Sequence, residues 1–250
     1  METAFAGVLG AMIGSFLNVV THRVPRRLSI VAPSSRCVSC STPIKPYDNI
    51  PVLSYLLLRG HCRHCRASIS PRYPLIEAGT AGLCAAVVAD RSGAAGIALG
   101  VAMVLLLVPL AFIDLEHRRL PNAITLPGCA LAVILGSALD PAGEPTRLIA
   151  GAGAGGALLL AALAHPGGMG MGDVKLAAMI GLFLGKPVIP AILIALICGV
   201  LVGGVVIARR GVKDGRRTAI PFGPFLAFGA VLALFAGSEI LHWYSTTFLH

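Results

Sequence analysis

The sequence predicts an all-α integral membrane protein of about eight transmembrane helices, with one long polar loop between the first two. Of its 250 residues, 56% are hydrophobic and only 12% are charged, whereas about a quarter of the residues in a soluble protein are charged. The mean hydropathy is +0.84. The apolar residues fall into separate runs, most of them near the ~20 residues with which a helix crosses a bilayer. A soluble globular fold is therefore excluded.

Eight apolar stretches follow one another along the chain. The second and the sixth are short, so we expect them to tilt little or to be sheltered by their neighbours. The first begins with Glu2 and is followed by basic residues rather than a small-residue cleavage site, so we interpret it as a retained span and not as a secretion signal. The stretches cover approximately residues 2–20, 74–89, 93–113, 120–139, 147–164, 174–185, 187–208 and 220–243.

The connections between these stretches alternate between many and few basic residues. Of the 20 lysines and arginines, only Arg91, Arg147 and Lys186 lie in the poor connections. Basic loops stay in the cytoplasm, so eight consecutive crossings leave both termini outside it. The net charge of +9 follows from this topology and requires no nucleic acid as a partner. The rich connections are residues 21–73, 114–119, 165–175 and 209–219.

The long loop contains two Cys-x-x-Cys pairs with 21 residues between them. Each pair offers two thiolates, and four thiolates at this spacing are typical of a tetrahedral zinc ribbon. A closed shell of thiolates leaves no position for water, so the predicted zinc is structural. It would order a loop too short and too polar to form a core of its own. The predicted ligands are Cys37, Cys40, Cys62 and Cys65.

Other interpretations of these cysteines are two disulfides, a redox motif, and a mixed site in which His61 or His64 replaces a thiolate. Disulfides do not suit a reduced cytoplasm, and a redox Cys-x-x-Cys lacks the thioredoxin-like pattern that normally surrounds it. Four thiols suffice without a histidine. The predicted domains are the first helix at residues 1–20, the zinc-binding loop at 21–73 and a transmembrane core at 74–250.

Two acids lie at the ends of apolar stretches: Asp114 ends the third, and Asp173 opens the sixth in "GMGDVKL". Ionisable groups in a span are costly and are candidates for function. The third span runs toward the cytoplasm and the sixth away from it, so both acids lie at one membrane depth. Two adjacent carboxylates share a proton and can act as base and acid, as in an aspartic protease. Gly170 and Gly172 would allow a backbone to approach Asp173, with Lys175 beside it.

The spacing leaves structural roles open for both acids. Asp173 could be an acid favoured by the dipole at a helix N-terminus, and Asp114 could form an ion pair with Arg118 or Arg119. A different match, "GAGAGG" at residues 151–156, satisfies the G-x-G-x-x-G pattern of nucleotide-binding turns. No strand precedes it and it lies in an apolar stretch, so we interpret it as small residues that let membrane helices pack closely.

Several motifs together resemble the bacterial prepilin peptidases, also called type IV leader peptidases, which are integral membrane aspartic proteases. The resemblance covers nearly the whole chain, and the motifs occur in the family's order. One departure is Val38, which follows Cys37 where the family usually has proline; this position is not a ligand, so zinc binding is expected to survive. The motifs are "GSFLNVVTHRVPR", the two Cys-x-x-Cys pairs, "DNIPVLSYLLLRGHCRHC", "ISPRYPLIE", "FIDLEHRRLPN" and "GMGDVKL".

The resemblance implies that Asp114 and Asp173 are the catalytic pair and that the four cysteines bind zinc. It implies a substrate that is a prepilin or pseudopilin precursor, cut after a short basic leader at the cytoplasmic face of the bacterial inner membrane. The family members with the four-cysteine loop also methylate the new amino terminus with S-adenosylmethionine. Pilus assembly and protein secretion are the processes that such substrates serve.

Two other functions compete with this one. A proton-coupled transporter with a regulatory zinc loop would need acids near mid-span and repeated halves, but both acids lie at span ends and the sequence contains no repeated halves. A zinc-containing scaffold without chemistry would tolerate Asp114→Asn with no loss of cleavage. The sequence therefore favours the membrane peptidase.

Overall fold

The computed structural model describes residues 1–165, 169–211 and 220–248. Within them it is helical, and its only extended pairing is two isolated β-bridges. Eight long helices match the predicted stretches to within a few residues, and a short helix lies in the long loop, so the predicted all-α fold is confirmed. The helices are α1 (Glu2–Arg23), α2 (Leu53–Leu57), α3 (Arg72–Asp90), α4 (Gly93–His117), α5 (Asn122–Leu139), α6 (Glu144–Ala164), α7 (Met171–Leu184), α8 (Val188–Arg210) and α9 (Gly223–Phe248).

Six of these helices are long and apolar enough to cross a membrane, namely α1, α4, α5, α6, α8 and α9. The other two long helices are α3, which contains Glu77, and α7, which has 14 residues. They correspond to the two stretches predicted to be short. The chain is therefore a multi-pass membrane protein, and the predicted number of about eight spans is approximate.

The chain forms two compact units, Met1–Ser92 and Gly93–His250. In the first unit, α1 packs along α3 through small residues. A Cβ on Gly14 would lie 2.9 Å from the Cα of Glu77, so the two backbones approach as closely as glycine allows. These two units are defined by packing alone. The three domains predicted from the sequence, residues 1–20, 21–73 and 74–250, remain a prediction.

One hydrogen bond joins the long loop to α3, and another joins α1 to the start of α3. The N–H of Val52 donates to Oε2 of the buried Glu77 at 2.7 Å. The side-chain amide of Asn18 in α1 donates to the carbonyl of Tyr73 in α3 at 3.2 Å. These contacts satisfy buried polar groups of α1 and α3, where an unpaired one would be costly.

In the second unit, α7 packs against α4, α5, α6, α8 and α9. Leu176, Ala177 and Met179 of α7 are fully buried. The expectation that the sixth stretch is sheltered is therefore confirmed: α7 is covered by its neighbours along its length.

The glycine-rich segment of α6 is the surface on which α7 packs. A Cβ on Gly181 would lie 2.7 Å from both the carbonyl oxygen of Ala150 and the Cα of Gly151. A Cβ on Gly155 would lie 2.9 Å from the Cβ of Ala178. Residues 151–156 are helical, so the interpretation of "GAGAGG" as a helix-packing surface is confirmed.

A buried charge cluster joins the end of α5 to the start of α6. Arg147 is 7% exposed and donates from Nη1 to Oδ2 of Asp140 at 2.6 Å and from Nε to Oε2 of Glu144 at 3.1 Å. A further bond from Nη2 reaches the carbonyl oxygen of Asp140 at 2.6 Å. The guanidinium thus closes the α5–α6 turn and lowers the pKa of the Asp140 carboxyl.

We expect Arg147→Ala to lower the free energy of unfolding by about 3 kcal/mol, because it leaves Glu144 buried without its partner. Unfolding in detergent, followed by circular dichroism, measures the change. Arg209→Ala is the matched control, since Arg209 is exposed at the end of α8. Equal stability of the two variants would contradict this role for the cluster.

Candidate functional site

Asp114 and Asp173 meet where three helices of the second unit converge. Asp114 lies near the end of α4, and Asp173 is the third residue of α7; both helices also pack against α9. Asp114 is 5% exposed and Asp173 is 9% exposed. Asp114 is close enough to Asp173 for their charges to interact. Two acids 59 positions apart in the chain are therefore brought together in a site with little solvent.

Each carboxylate accepts one backbone hydrogen bond. Oδ2 of Asp114 accepts from the N–H of Gly223, the first residue of α9, at 2.9 Å. Oδ2 of Asp173 accepts from the N–H of Gly170 at 3.3 Å, and the N–H of Asp173 donates to the carbonyl oxygen of Gly170 at 3.0 Å at the start of α7. Backbone donors of this kind orient a carboxylate and stabilise its charged form.

The residues predicted to support Asp173 have distinct neighbours. A Cβ on Gly172 would lie 2.9 Å from the Cβ of Leu120, so this glycine lets the α4–α5 connection approach the start of α7. Lys175 donates from Nζ to Oδ1 of Asn122, the first residue of α5, at 2.9 Å. Both contacts hold the start of α7 against the chain that follows Asp114.

The structural roles left open by the sequence have separate outcomes. Asp173 is an acid in the first turn of a helix, and this position is compatible with its place near Asp114. Asp114 forms no ion pair with Arg118 or Arg119 within the described residues. Both acids lie at helix ends. A proton-coupled carrier would instead require acids near the middle of a span.

The four cysteines of the long loop also come together. Their Sγ atoms all lie within 4.8 Å of one another, and the Sγ atoms of Cys37 and Cys65 are 3.8 Å apart. Tetrahedral coordination with Zn–S bonds of about 2.3 Å requires sulfur atoms about 3.8 Å apart. All four are free thiols. The cluster could therefore hold a metal ion, and its size and donor set fit zinc.

Local hydrogen bonds favour the thiolate form of two of these residues. The Thr42 hydroxyl, whose Oγ1 lies 3.3 Å from Sγ of Cys40, and the Thr42 amide together lower the pKa of the Cys40 thiol to about 6. The backbone amides of Cys65 and His64 lower the pKa of the Cys62 thiol. Thiolates are the form that binds metal. The backbone bond from Ala67 lowers the pKa of the Cys65 thiol, but burial and the neighbouring cysteines raise it to about 11, so this residue would release a proton on binding metal.

The two cysteine pairs have the same local fold. In each, the N–H of the first cysteine donates to the carbonyl five residues ahead, and that cysteine's carbonyl accepts the N–H four residues ahead. The residue four ahead has positive φ in both, 57° at Ser41 and 59° at Arg66. The two turns face each other with their sulfurs inward, as in a zinc ribbon. The common pattern Cys-x-x-Cys-x-x-x-Ile is visible in the sequence.

An ion pair fastens the second turn to the rest of the loop. Arg63 donates from Nε and Nη2 to the carboxylate of Asp48 at 2.6 to 3.0 Å, and this contact lowers the pKa of the Asp48 carboxyl. The guanidinium also lies over the ring of Tyr47, 5.6 Å from its centroid. The pair therefore stays charged at neutral pH and braces the cysteine turn.

The sequence alone does not identify Gly223 as a partner of Asp114. The available signal was "PFGPF" at residues 221–225, where two prolines bracket a glycine at the start of the last apolar stretch. Pro at the first helical positions is common, so the motif alone suggested only a helix start. Its contact with α4 depends on tertiary packing.

Two family models match the chain. The model of the bacterial peptidase A24 N-terminal domain matches residues 8–90, and that of the type IV leader peptidase family matches residues 101–204. The first match contains the four-cysteine cluster, and the second contains Asp114 and Asp173. No solved structure shows significant similarity to the chain.

Curated relatives named prepilin leader peptidase/N-methyltransferase match along almost their full lengths. The relative from Aeromonas hydrophila is 37% identical over 273 residues, which cover 95% of this chain and 92% of the relative. That from Pseudomonas putida is 37% identical over 278 residues, covering 96% and 94%. That from Burkholderia pseudomallei strain 1026b is 36% identical over 274 residues, covering 95% and 86%. With both family models matching consecutive parts of the chain, this protein belongs to the type IV leader peptidase family.

Proposed function

We propose that this protein is an aspartic endopeptidase of the bacterial inner membrane that removes the short basic leader from type IV prepilin-like precursors at the cytoplasmic face. We propose that it also methylates the new amino terminus with S-adenosylmethionine. The observation that carries the peptidase is the meeting of Asp114 and Asp173 in a buried site at the ends of α4 and α7.

Two close carboxylates with little solvent cannot both ionise easily, so one proton serves the pair. The ionised carboxylate takes a proton from water as the water oxygen attacks the scissile carbonyl carbon, and the protonated one gives its proton to the carbonyl oxygen. In the second step the amine leaves with the first proton, and the second carboxylate recovers a proton from the diol. The pair returns to its starting state, so the cycle requires only water.

The charge distribution supports a site at the cytoplasmic face. In the second unit, Arg118, Arg119 and Lys175 lie near the end where the two acids meet, whereas Arg147 and Lys186 lie at the other end. Basic residues favour the cytoplasmic side. A precursor whose apolar segment enters the bilayer and whose basic leader stays outside it presents its scissile bond at that interface.

Zinc is proposed as a structural ion in the long loop. Cys37, Cys40, Cys62 and Cys65 would complete its tetrahedral shell, and no coordination position would remain for water or substrate. The ion would supply a crosslink between the two cysteine turns, in a segment whose described part contains no long helix between Arg23 and Arg72.

Methylation is proposed because the curated relatives are named as N-methyltransferases. The cavity of about 290 Å³ in the loop does not match the methyl donor, because Arg59, Arg63 and Arg66 line it. A basic cavity disfavours a sulfonium cation. We therefore assign no described residue to the methyl donor.

One assay tests both activities. Purified protein in detergent is incubated with a prepilin precursor and labelled S-adenosylmethionine, and the product mass is measured. We expect loss of the leader and gain of one methyl group on the new terminus. An intact precursor would contradict the peptidase, and a cleaved product without label would contradict the methyltransferase alone.

A further inference from the structure

Gly223 lies at a position where a helix start meets an acid of another helix. As the first residue of the 26-residue helix α9, it has an N–H without an acceptor inside that helix. That N–H donates to Oδ2 of Asp114 at 2.9 Å, and both residues are buried. The positive end of the α9 dipole therefore points at the carboxylate.

The contact explains why residue 223 is glycine. Its φ is not among the positive values, so the backbone itself does not require glycine. A Cβ on Gly223 would lie 2.7 Å from Oδ2 and 3.2 Å from the Cβ of Asp114. A side chain at residue 223 and the observed carboxylate position are therefore incompatible, and one of them must shift.

The two acids differ in the strength of this support. The donor to Asp173 is at 3.3 Å and comes from Gly170, just before the same helix. The donor to Asp114 is shorter, comes from a different helix and fixes the carboxylate against α9. A short bond from a helix N-terminus favours the charged carboxylate more than a long one does.

We infer that the N–H of Gly223 is a positioning group that holds Asp114 as the base of the pair, while Asp173 holds the shared proton. This inference rests on the proposed peptidase function. With Oδ2 held by the amide, Oδ1 of Asp114 takes the proton of the attacking water as the C–O bond forms. Asp173 gives its proton to the carbonyl oxygen. When the C–N bond breaks, Asp114 protonates the amine, and Asp173 regains a proton from the diol.

The test is Gly223→Ala, which keeps the N–H but displaces the carboxylate. We expect kcat for precursor cleavage to fall about 100-fold, with KM changed less than about twofold, as for a group that acts mainly in the transition state. The matched control is Gly156→Ala in α6, where a Cβ meets nothing within 4 Å; it should keep the parent kcat. A raised KM with unchanged kcat would overturn the inference.

A second measurement does not depend on the folding of Gly223→Ala. Amide hydrogen exchange at Gly223 should be slow in the parent and faster in Asp114→Ala, where the acceptor is gone. Fast exchange in the parent would overturn the inference. If Asp173→Asn is inactive while Gly223→Ala keeps full kcat, this inference fails and the peptidase stands; if Asp173→Asn cleaves normally, the proposed function itself fails.

Discussion

The Asp173→Asn variant is expected to cleave a prepilin precursor about 10⁴-fold more slowly than the parent protein while keeping its fold. Asparagine has nearly the same shape, and its side-chain oxygen can still accept the hydrogen bond that Gly170 donates at the start of α7. What it lacks is a transferable proton. Single-turnover cleavage in detergent, followed by mass spectrometry of the precursor, measures the rate.

The same loss is expected for Asp114→Asn, and the double variant should be no slower than either single variant. Residues that act as one unit in catalysis are strongly non-additive, because removal of one already removes the shared function. If the two acids acted independently, the rate losses of the two single variants would multiply in the double variant. A double-mutant comparison therefore tests the pairing itself, beyond the need for each acid.

The control for these variants is Glu239→Gln, which removes an exposed carboxylate from α9. It should retain parent activity, and all variants should share the parent's unfolding temperature to within a few degrees. Retained cleavage in either aspartate variant would contradict the catalytic assignment. Loss of activity together with loss of fold would instead indicate a structural role for the hydrogen bond between Asp173 and Gly170.

The helices of the core could be predicted because hydropathy and length reflect the bilayer itself. The shortness of α7 was visible at residues 174–185, and its shelter follows because a 14-residue helix cannot easily cross the bilayer alone. The glycines of residues 151–156 indicated a packing surface by type and spacing. Their partner, Gly181, was not predictable, because the sequence of α7 does not indicate which helix Gly181 packs against.

The candidate site was predictable in its residue types but not in its detail. Asp114 and Asp173 were identified because acids at the ends of spans are costly. The predicted topology also put both acids at the same depth in the membrane. The donor from Gly223 did not stand out, because it joins residues 109 positions apart through backbone atoms that carry no sequence signal. The equivalence of the two cysteine turns was visible only as a shared Cys-x-x-Cys-x-x-x-Ile spacing.

The Cys62→Ser variant is expected to lose its zinc and the order of the loop. A serine hydroxyl is a poor ligand beside three thiolates, so affinity should fall by more than about 100-fold. In a small domain with little core, the free energy of metal binding also stabilises the fold, so loss of the metal unfolds the domain. The described loop residues support this, because apart from the five-residue α2 they form only two three-residue 3-10 helices, turns and isolated bridges. Metal analysis of purified protein and limited proteolysis between α1 and α3 measure the two effects.

Cys198→Ser is the matched control, because Cys198 lies in α8, outside the cluster. It should keep one zinc per chain and resist proteolysis as the parent does. All four cysteines are free in the structure, and alkylation distinguishes a zinc site from an unoccupied thiol pair. A ribbon with bound zinc should resist thiol alkylation until a chelator is added, since the metal occupies the sulfur lone pairs. Parent protein that contains no zinc and alkylates at once would contradict the metal site, whereas the aspartate pair would be unaffected by that result.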